Sequence, residues 1–171
     1  MDIKIKNNDI KFKVRVSGII IINNKLLVDK YNDTKYCLPG GYVELGETTE
    51  EWLIREIKEE LNIDVNIDSF MGIIENFFYN RNNDYTQSMD FYYKISPKNI
   101  NDICLNDYEY IENDKGFIIK HEFKWIDIDN LDKFNLVPNS LINIIKENKN
   151  EIFHLIKKEG ENLWNLLEQK N

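Results

Sequence analysis

Phe12, Val14 and Val16 alternate with Lys13 and Arg15, and Gly18 and four isoleucines follow. This is the pattern of a strand that turns from half-buried to fully buried. Asn23-Asn24 suits a hairpin turn because Asn tolerates positive φ, and residues 25–29 return as a second strand. A loop at 31–35 leads to Leu38, Pro39, Gly40 and Gly41, where regular structure must break. Thr48 and Glu51 then stand at capping-box spacing, and a period-3.6 pattern runs from Glu50 to Leu61 with Asn62 as its stop.

Residues 70–79 and 85–95 read as strands joined by the polar tip 80–84. A loop carrying Asp107, Glu109, Glu112 and Asp114 precedes a strand near 116–126, and Pro138 opens a helix with Leu141, Ile144 and Ile145 on one side. Beyond it, Ile152, Leu155, Ile156, Leu163, Leu166 and Leu167 recur at helical spacing. The expectation is an α+β domain over residues 1–147 with a C-terminal helical extension at 148–171. That extension either packs on the same domain or serves a homodimer contact.

Composition narrows the function. The chain has 171 residues with 42% hydrophobic, 12% aromatic and 30% charged content, proportions of a globular domain and not of wholesale disorder. The net charge of −8 gives no footprint for a duplex nucleic-acid binder. Cys37 and Cys104 match neither a disulfide framework nor a zinc spacing, which points to a reducing, cytoplasmic setting. The longest apolar run is 19–22, so no membrane span is expected, and the alternating start does not resemble a signal peptide.

On a helical wheel, Leu53, Ile54, Ile57 and Leu61 form the arc expected to face the core, and Glu56, Glu59 and Glu60 fill an arc beside it. Residues 41–63 hold seven acidic and two basic side chains, a local charge of −5. Like charges at i,i+3 and i,i+4 destabilise a helix by roughly 0.2–0.5 kcal/mol per pair. A partly enclosed cluster of this kind calls for compensation, and oxygen donors with room left for water and phosphate suit Mg²⁺ or Mn²⁺.

Residues 41–63, GYVELGETTEEWLIREIKEELNI, resemble the Nudix box, G-x5-E-x7-R-E-U-x-E-E-x-G-U with U apolar. Gly41, Glu47, Arg55, Glu56, Ile57, Glu59, Glu60 and Ile63 match, and Asn62 replaces the usual glycine. The lead-in Leu38-Pro39-Gly40-Gly41, the strand at 74–78, Trp125-Ile126-Asp127 with its following turn, and the helix near Pro138 extend the resemblance over residues 12–147. It implies an α/β/α sandwich, a mixed sheet between helices, and hydrolysis of a diphosphate linkage in a small-molecule nucleotide.

By the same resemblance, Gly40 through its carbonyl and Glu56, Glu59 and Glu60 are the metal donors. Arg55 and Glu47 orient those ligands. The general base is Glu56 itself or a downstream acid: Glu122 is favoured over Glu109, Glu112 and Asp114. Phe77, Phe78, Tyr79, Tyr85 and Tyr31 are candidate nucleobase platforms, though strand aromatics more often fill cores. His121 and His154 read as structural or surface residues. A nucleotide-sensing domain without catalysis stays open as the alternative. The sequence does not name the substrate.

Overall fold

The computed structural model describes residues 2–7, 10–30, 35–79, 85–114, 117–147 and 151–159. In chain order the elements are β1 (Lys4–Asn7), β2 (Ile10–Ile19), β3 (Ile21–Ile22), β4 (Lys25–Lys30), β5 (Tyr36–Cys37), β6 (Gly40–Tyr42), α1 (Thr49–Leu61), β7 (Val65–Tyr79), β8 (Tyr85–Pro97), β9 (Tyr108–Asp114), β10 (Phe117–Asp127), α2 (Leu141–Glu147) and β11 (Phe153–Lys158). Short 3-10 turns lie at Ile100–Asp102 and Ile128–Lys133.

The strands form two sheets. One is mixed, in the order β1-β2-β8-β7-β11 with β6 alongside β2; the other is antiparallel, in the order β3-β4-β10-β9 with β5 alongside β4. The chain crosses between them at Ile20, which is fully buried. At the hairpin that follows, Asn23 and Asn24 have φ of 50° and 61°, the turn that matches strand twist.

Two apolar clusters make the layers. Val16, Leu27, Tyr93, Ile95 and Phe123 meet α1 through Trp52, Leu53, Ile57 and Leu61. On the other side Ile19, Val28, Ile74, Tyr92 and Ile126 meet α2 and the second 3-10 turn through Leu131, Leu141 and Ile145. Helices therefore cover both sides of the strands, the α/β/α sandwich expected.

Three expectations are corrected. Residues 153–158 are not helical: they form β11, which adds a parallel edge strand to β7, with Leu155 opposite Ile74. Its Phe153 packs on Tyr92 at 5.8 Å between ring centroids. Apolar residues at 152, 155 and 156 satisfy a helical wheel, but the alternation that matters is Phe153 and Leu155 turned inward, with Ile152 and Ile156 left exposed. Leu163, Leu166 and Leu167 lie outside the described residues. The expected loop at 107–114 is mostly β9, paired antiparallel with β10. Helix α2 also begins at Leu141, after Pro138, whose carbonyl accepts from Leu141 N at 3.1 Å.

Candidate active site

Helix α1 carries the acidic motif and is fixed at both ends. Thr48 Oγ1 accepts from Glu51 N at 3.2 Å, and Glu51 Oε2 accepts from Thr48 N at 3.0 Å, so the capping box is complete. Asn62, at φ 55° and ψ 29°, takes the left-handed stop, and its N–H donates to Lys58 O at 3.0 Å. Asn reaches this conformation more readily than most residues, so the departure from glycine leaves the helix end intact.

The buried stripe of α1 is rotated from the sequence expectation. Trp52 is buried and Ile54 is 37% exposed. At 100° per residue the stripe then runs from Trp52 through Leu53 and Ile57 to Leu61, and Glu60 falls near its centre. Glu60 is accordingly only 7% exposed. Burial pushes its carboxyl up to about 8, with the charge of Glu56 adding to the rise and His121 opposing it.

Opposite Glu60 lies the loop that ends in β6. Gly40 N donates to Glu60 Oε2 at 3.3 Å. Gly40 has φ +130°, and any Cβ there would collide with the carbonyl of Val16, so only glycine lets this backbone approach both β2 and Glu60. The next residue faces Glu56: a Cβ on Gly41 would sit 2.9 Å from Glu56 Oε1. On the outer side Arg55 holds Glu47 bidentately, Nε to Oε1 at 3.0 Å and Nη2 to Oε2 at 2.8 Å. Its Nη1 reaches Glu59 at 3.2 Å and lies 3.9 Å from Glu56. The bond from Arg55 holds Glu47 below the usual carboxylate range.

Behind the box sits a layer of charge that the motif does not include. Arg15 Nη2 donates to Gly40 O at 2.8 Å and to Leu38 O at 3.3 Å. Its strand neighbour in register on β8 is Asp90, which is 7% exposed and hydrogen-bonded to Asn76. Burial lifts the Asp90 carboxyl above its ordinary value, with Arg15 opposing. On the other sheet, His121 Nδ1 and Asp29 Oδ2 are 2.6 Å apart, and both residues are buried. The imidazole is stacked on Phe123 at 5.8 Å. Cys37 donates to Asp29 O at 3.6 Å, and burial pushes its thiol up to about 12.

Glu122 is placed elsewhere. It points to the opposite side of β10 from His121 and Phe123, and accepts from Lys30 at 3.1 Å with Lys120 at 3.6 Å. The bond from Lys30 holds it below the usual carboxylate range. Glu109 is bound to Lys120 at 2.8 Å on the same hairpin. The side chains of Glu112 and Asp114, and all of Tyr31, lie outside the described residues. Tyr79 and Tyr85 pack edge-to-face at 5.2 Å, and Tyr85 pairs with Ile10, whereas Gly40 pairs with Ser17 near the other end of β2. Phe77 carries Lys158 over its ring at 5.8 Å.

Among the described residues, no three His, Cys, Asp or Glu side chains form a ready cation cage. Arg55 draws Glu59 outward while Glu60 lies inward. The donor chemistry does fit a hard divalent cation. Glu60 is a buried carboxylate whose charge is further disfavoured by a second carboxylate, Glu56, and the Gly40 backbone meets it through its amide, while the Gly40 carbonyl accepts from Arg15.

The model of the NUDIX domain matches residues 11–146. The chain belongs to the Nudix family. An ADP-ribose pyrophosphatase of Methanocaldococcus jannaschii is 48% identical over 64 residues, 35% of this chain and 38% of that protein. A MutT-like protein of Streptomyces ambofaciens is 34% identical over 65 residues, 37% of this chain and 42% of that protein. The alignments thus span about two-fifths of each relative. Among solved structures, the MutT protein of Bacillus halodurans superposes with a TM-score of 0.58 at 17% identity, covering 83% of this chain and 89% of that one. An ADP-ribose pyrophosphatase of Streptococcus suis gives 0.52 at 16%, covering 85% and 98%. These similarities establish the Nudix fold.

The sequence pattern marks every Nudix-box residue but not Arg15, Asp29 or Asp90, and His121 reads there only as a structural or surface residue. The local signals were thin. Arg15 is one polar position of an alternating strand, and Asp29 merely follows the apolar run 26–28. What unites them with Glu60 is the meeting of the two sheets, a contact between distant parts of the chain.

Proposed function

We propose that the protein is a Nudix pyrophosphohydrolase that uses Mg²⁺ or Mn²⁺ and cleaves the diphosphate of a nucleoside diphosphate derivative, with ADP-ribose as the first candidate. The observation that carries this is Glu60, a carboxylate buried in the centre of the α1 stripe, beside Glu56 and bound by Gly40 N. A buried carboxylate beside a second one is costly unless a cation or proton compensates it. The M. jannaschii relative directs the choice of ADP-ribose.

Glu56, Glu60 and the Gly40 carbonyl would hold the cation, with Glu59 completing the set when it leaves Arg55. A bound divalent ion neutralises diphosphate oxygens and lowers the pKa of water. The chain's residues do the rest. Arg55 and Glu47 fix the outer wall by their bidentate pair. Arg15 fixes the Gly40 carbonyl. Glu56, half-buried beside Glu60 and facing Gly41, accepts the proton of the attacking water. Glu122, engaged by Lys30 and Lys120, is not given that role.

For ADP-ribose, water adds to one phosphorus, the bridging P–O bond breaks, and AMP and ribose 5-phosphate leave. The test is release of these products with Mg²⁺ or Mn²⁺ from wild type and Glu56→Gln. Metal-dependent turnover that falls at least ~100-fold supports the reading. Nucleotide binding without turnover on any diphosphate derivative would instead establish a sensing domain.

A further inference from the structure

Helix α1 covers one end of the mixed sheet, where Val16, Tyr93 and Ile95 meet Leu53 and Ile57. Towards the other end of the same face, two cross-strand rows run side by side. In the first, Ile5 of β1 is opposite Phe12 of β2 and Phe12 is opposite Gln87 of β8. Gln87 in turn is opposite Phe77 of β7, and Phe77 is opposite Lys158 of β11. In the second row, Val14, Met89, Glu75 and Ile156 follow one another across β2, β8, β7 and β11. Residues in register, and residues two apart along a strand, project from one face, so the step from Val14 to Val16 puts both rows on the α1 side.

Ile5 and Ile156 are 62% and 60% exposed, and Phe12, Phe77 and Met89 are half-buried. Among the described residues, these five join neither core cluster. A single exposed isoleucine is ordinary, but an apolar row that crosses five strands marks a surface built to be covered. Its polar members are engaged locally: Glu75 is bonded to His154 at 2.8 Å, and Lys158 lies over the Phe77 ring. The opposite face of the sheet needs no such cover here, since Asn76, Thr86, Ser88 and Asp90 are each 8% exposed or less.

The chain leaves β11 at the corner of this open face. Glu159 N donates to Phe77 O at 2.7 Å, one residue after Lys158. Residues 160–171 follow, outside the described residues, with Leu163 and Trp164, then Leu166 and Leu167, as adjacent apolar pairs. Neighbours in a strand project from opposite faces, whereas on a helix at 100° per residue all four fall within an arc of about 160°. A helix over 160–171 would reach roughly 18 Å, and the four gaps between five strands at ~4.8 Å make roughly 19 Å. A segment tethered at the corner has an effective concentration on the order of millimolar, above that of a separate copy in dilute solution.

We propose that residues 160–171 form an amphipathic helix that lies across these rows from β11 towards β1, with Leu163, Trp164, Leu166 and Leu167 against Phe77, Met89 and Phe12. The α1 side of the mixed sheet is then closed within one chain, by α1 at one end and by this segment at the other.

The test joins two cysteines in the full chain carrying Cys104→Ser. One protein has Leu167→Cys with Gln87→Cys, at the middle of the first row. The other has Leu167→Cys with Lys133→Cys, which is exposed on the α2 side. Both are oxidised with diamide at low micromolar concentration and read by mass spectrometry without reduction. The expected result is an intrachain disulfide that forms at least tenfold faster in the first protein. Independently, Trp164→Ser/Leu167→Ser should raise binding of the apolar dye ANS at least threefold, with the circular dichroism of the sheets retained. Disulfides that join two chains through residues 87 and 167 would assign the face to a second copy and overturn the proposal. Equal rates in the two proteins, with dye binding unchanged in the serine variant, would overturn it as well.

Discussion

Arg15 Nη2 lies 2.8 Å from the carbonyl oxygen of Gly40, which ties the mixed sheet to the loop whose amide meets Glu60. The same guanidinium stands in register with buried Asp90. It thus supports the candidate cation site from behind, without belonging to the motif.

Replacing Arg15 by Met should weaken Mn²⁺ binding about tenfold, the range seen when an outer support of a ligand is lost. Stability should fall by at least about 2 kcal/mol, because Asp90 loses its countercharge. A Mn²⁺ titration and a urea melt read the two effects separately. Unchanged Mn²⁺ affinity with lowered stability would make Arg15 purely structural.

Glu60 predicts a pH dependence in EDTA. Its folded-state pKa is raised from 4.5 to about 8, so the folded protein retains a proton that the unfolded chain releases. The group's contribution is therefore complete below about pH 4.5 and is lost as pH rises to about 8, a loss on the order of a few kcal/mol. Melting temperature should decline over that window, and Glu60→Gln should flatten the decline. An identical slope in the variant would show that other groups govern it.

The cysteines should differ in reactivity. Burial pushes the Cys37 thiol up to about 12, whereas Cys104 is exposed. Alkylation at pH 8 should modify Cys104 promptly and Cys37 only after denaturation. Prompt double labelling read by mass spectrometry would contradict the placement of Cys37 beside Asp29.

Strand β11 should depend on Gly72. This residue has φ +152°, and a Cβ would run into the backbone carbonyl and ring of Phe153. Gly72→Ala should lower stability by about 2 kcal/mol or more and raise amide exchange in 153–158 first. Uniform exchange across both sheets would mean that β11 is not the element displaced.

Much of this was legible in the sequence because it is local. The Asn23-Asn24 turn, the Thr48–Glu51 capping box, the Asn62 stop and the spacing of Glu47, Arg55, Glu56, Glu59 and Glu60 are all set within a few residues of one another. What the sequence hid depends on distant partners. Residues 152–156 satisfy a helical wheel, and only pairing with β7 decides for a strand. His121 looks isolated until Asp29, ninety-two residues earlier, comes within 2.6 Å. Glu122 follows the same logic in reverse: as an acid downstream of the box it is a candidate base, yet strand alternation turns it toward Lys30 and Lys120.

If a cation held by Glu56 and Glu60 drives diphosphate hydrolysis, product release from ADP-ribose across a Mg²⁺ titration in wild type and Glu60→Gln shows it directly. The expected result is no turnover in EDTA, saturable activation by Mg²⁺, and a loss of at least ~100-fold in the variant with its fold retained. Turnover that persists in EDTA, or that Glu60→Gln leaves intact, would contradict it.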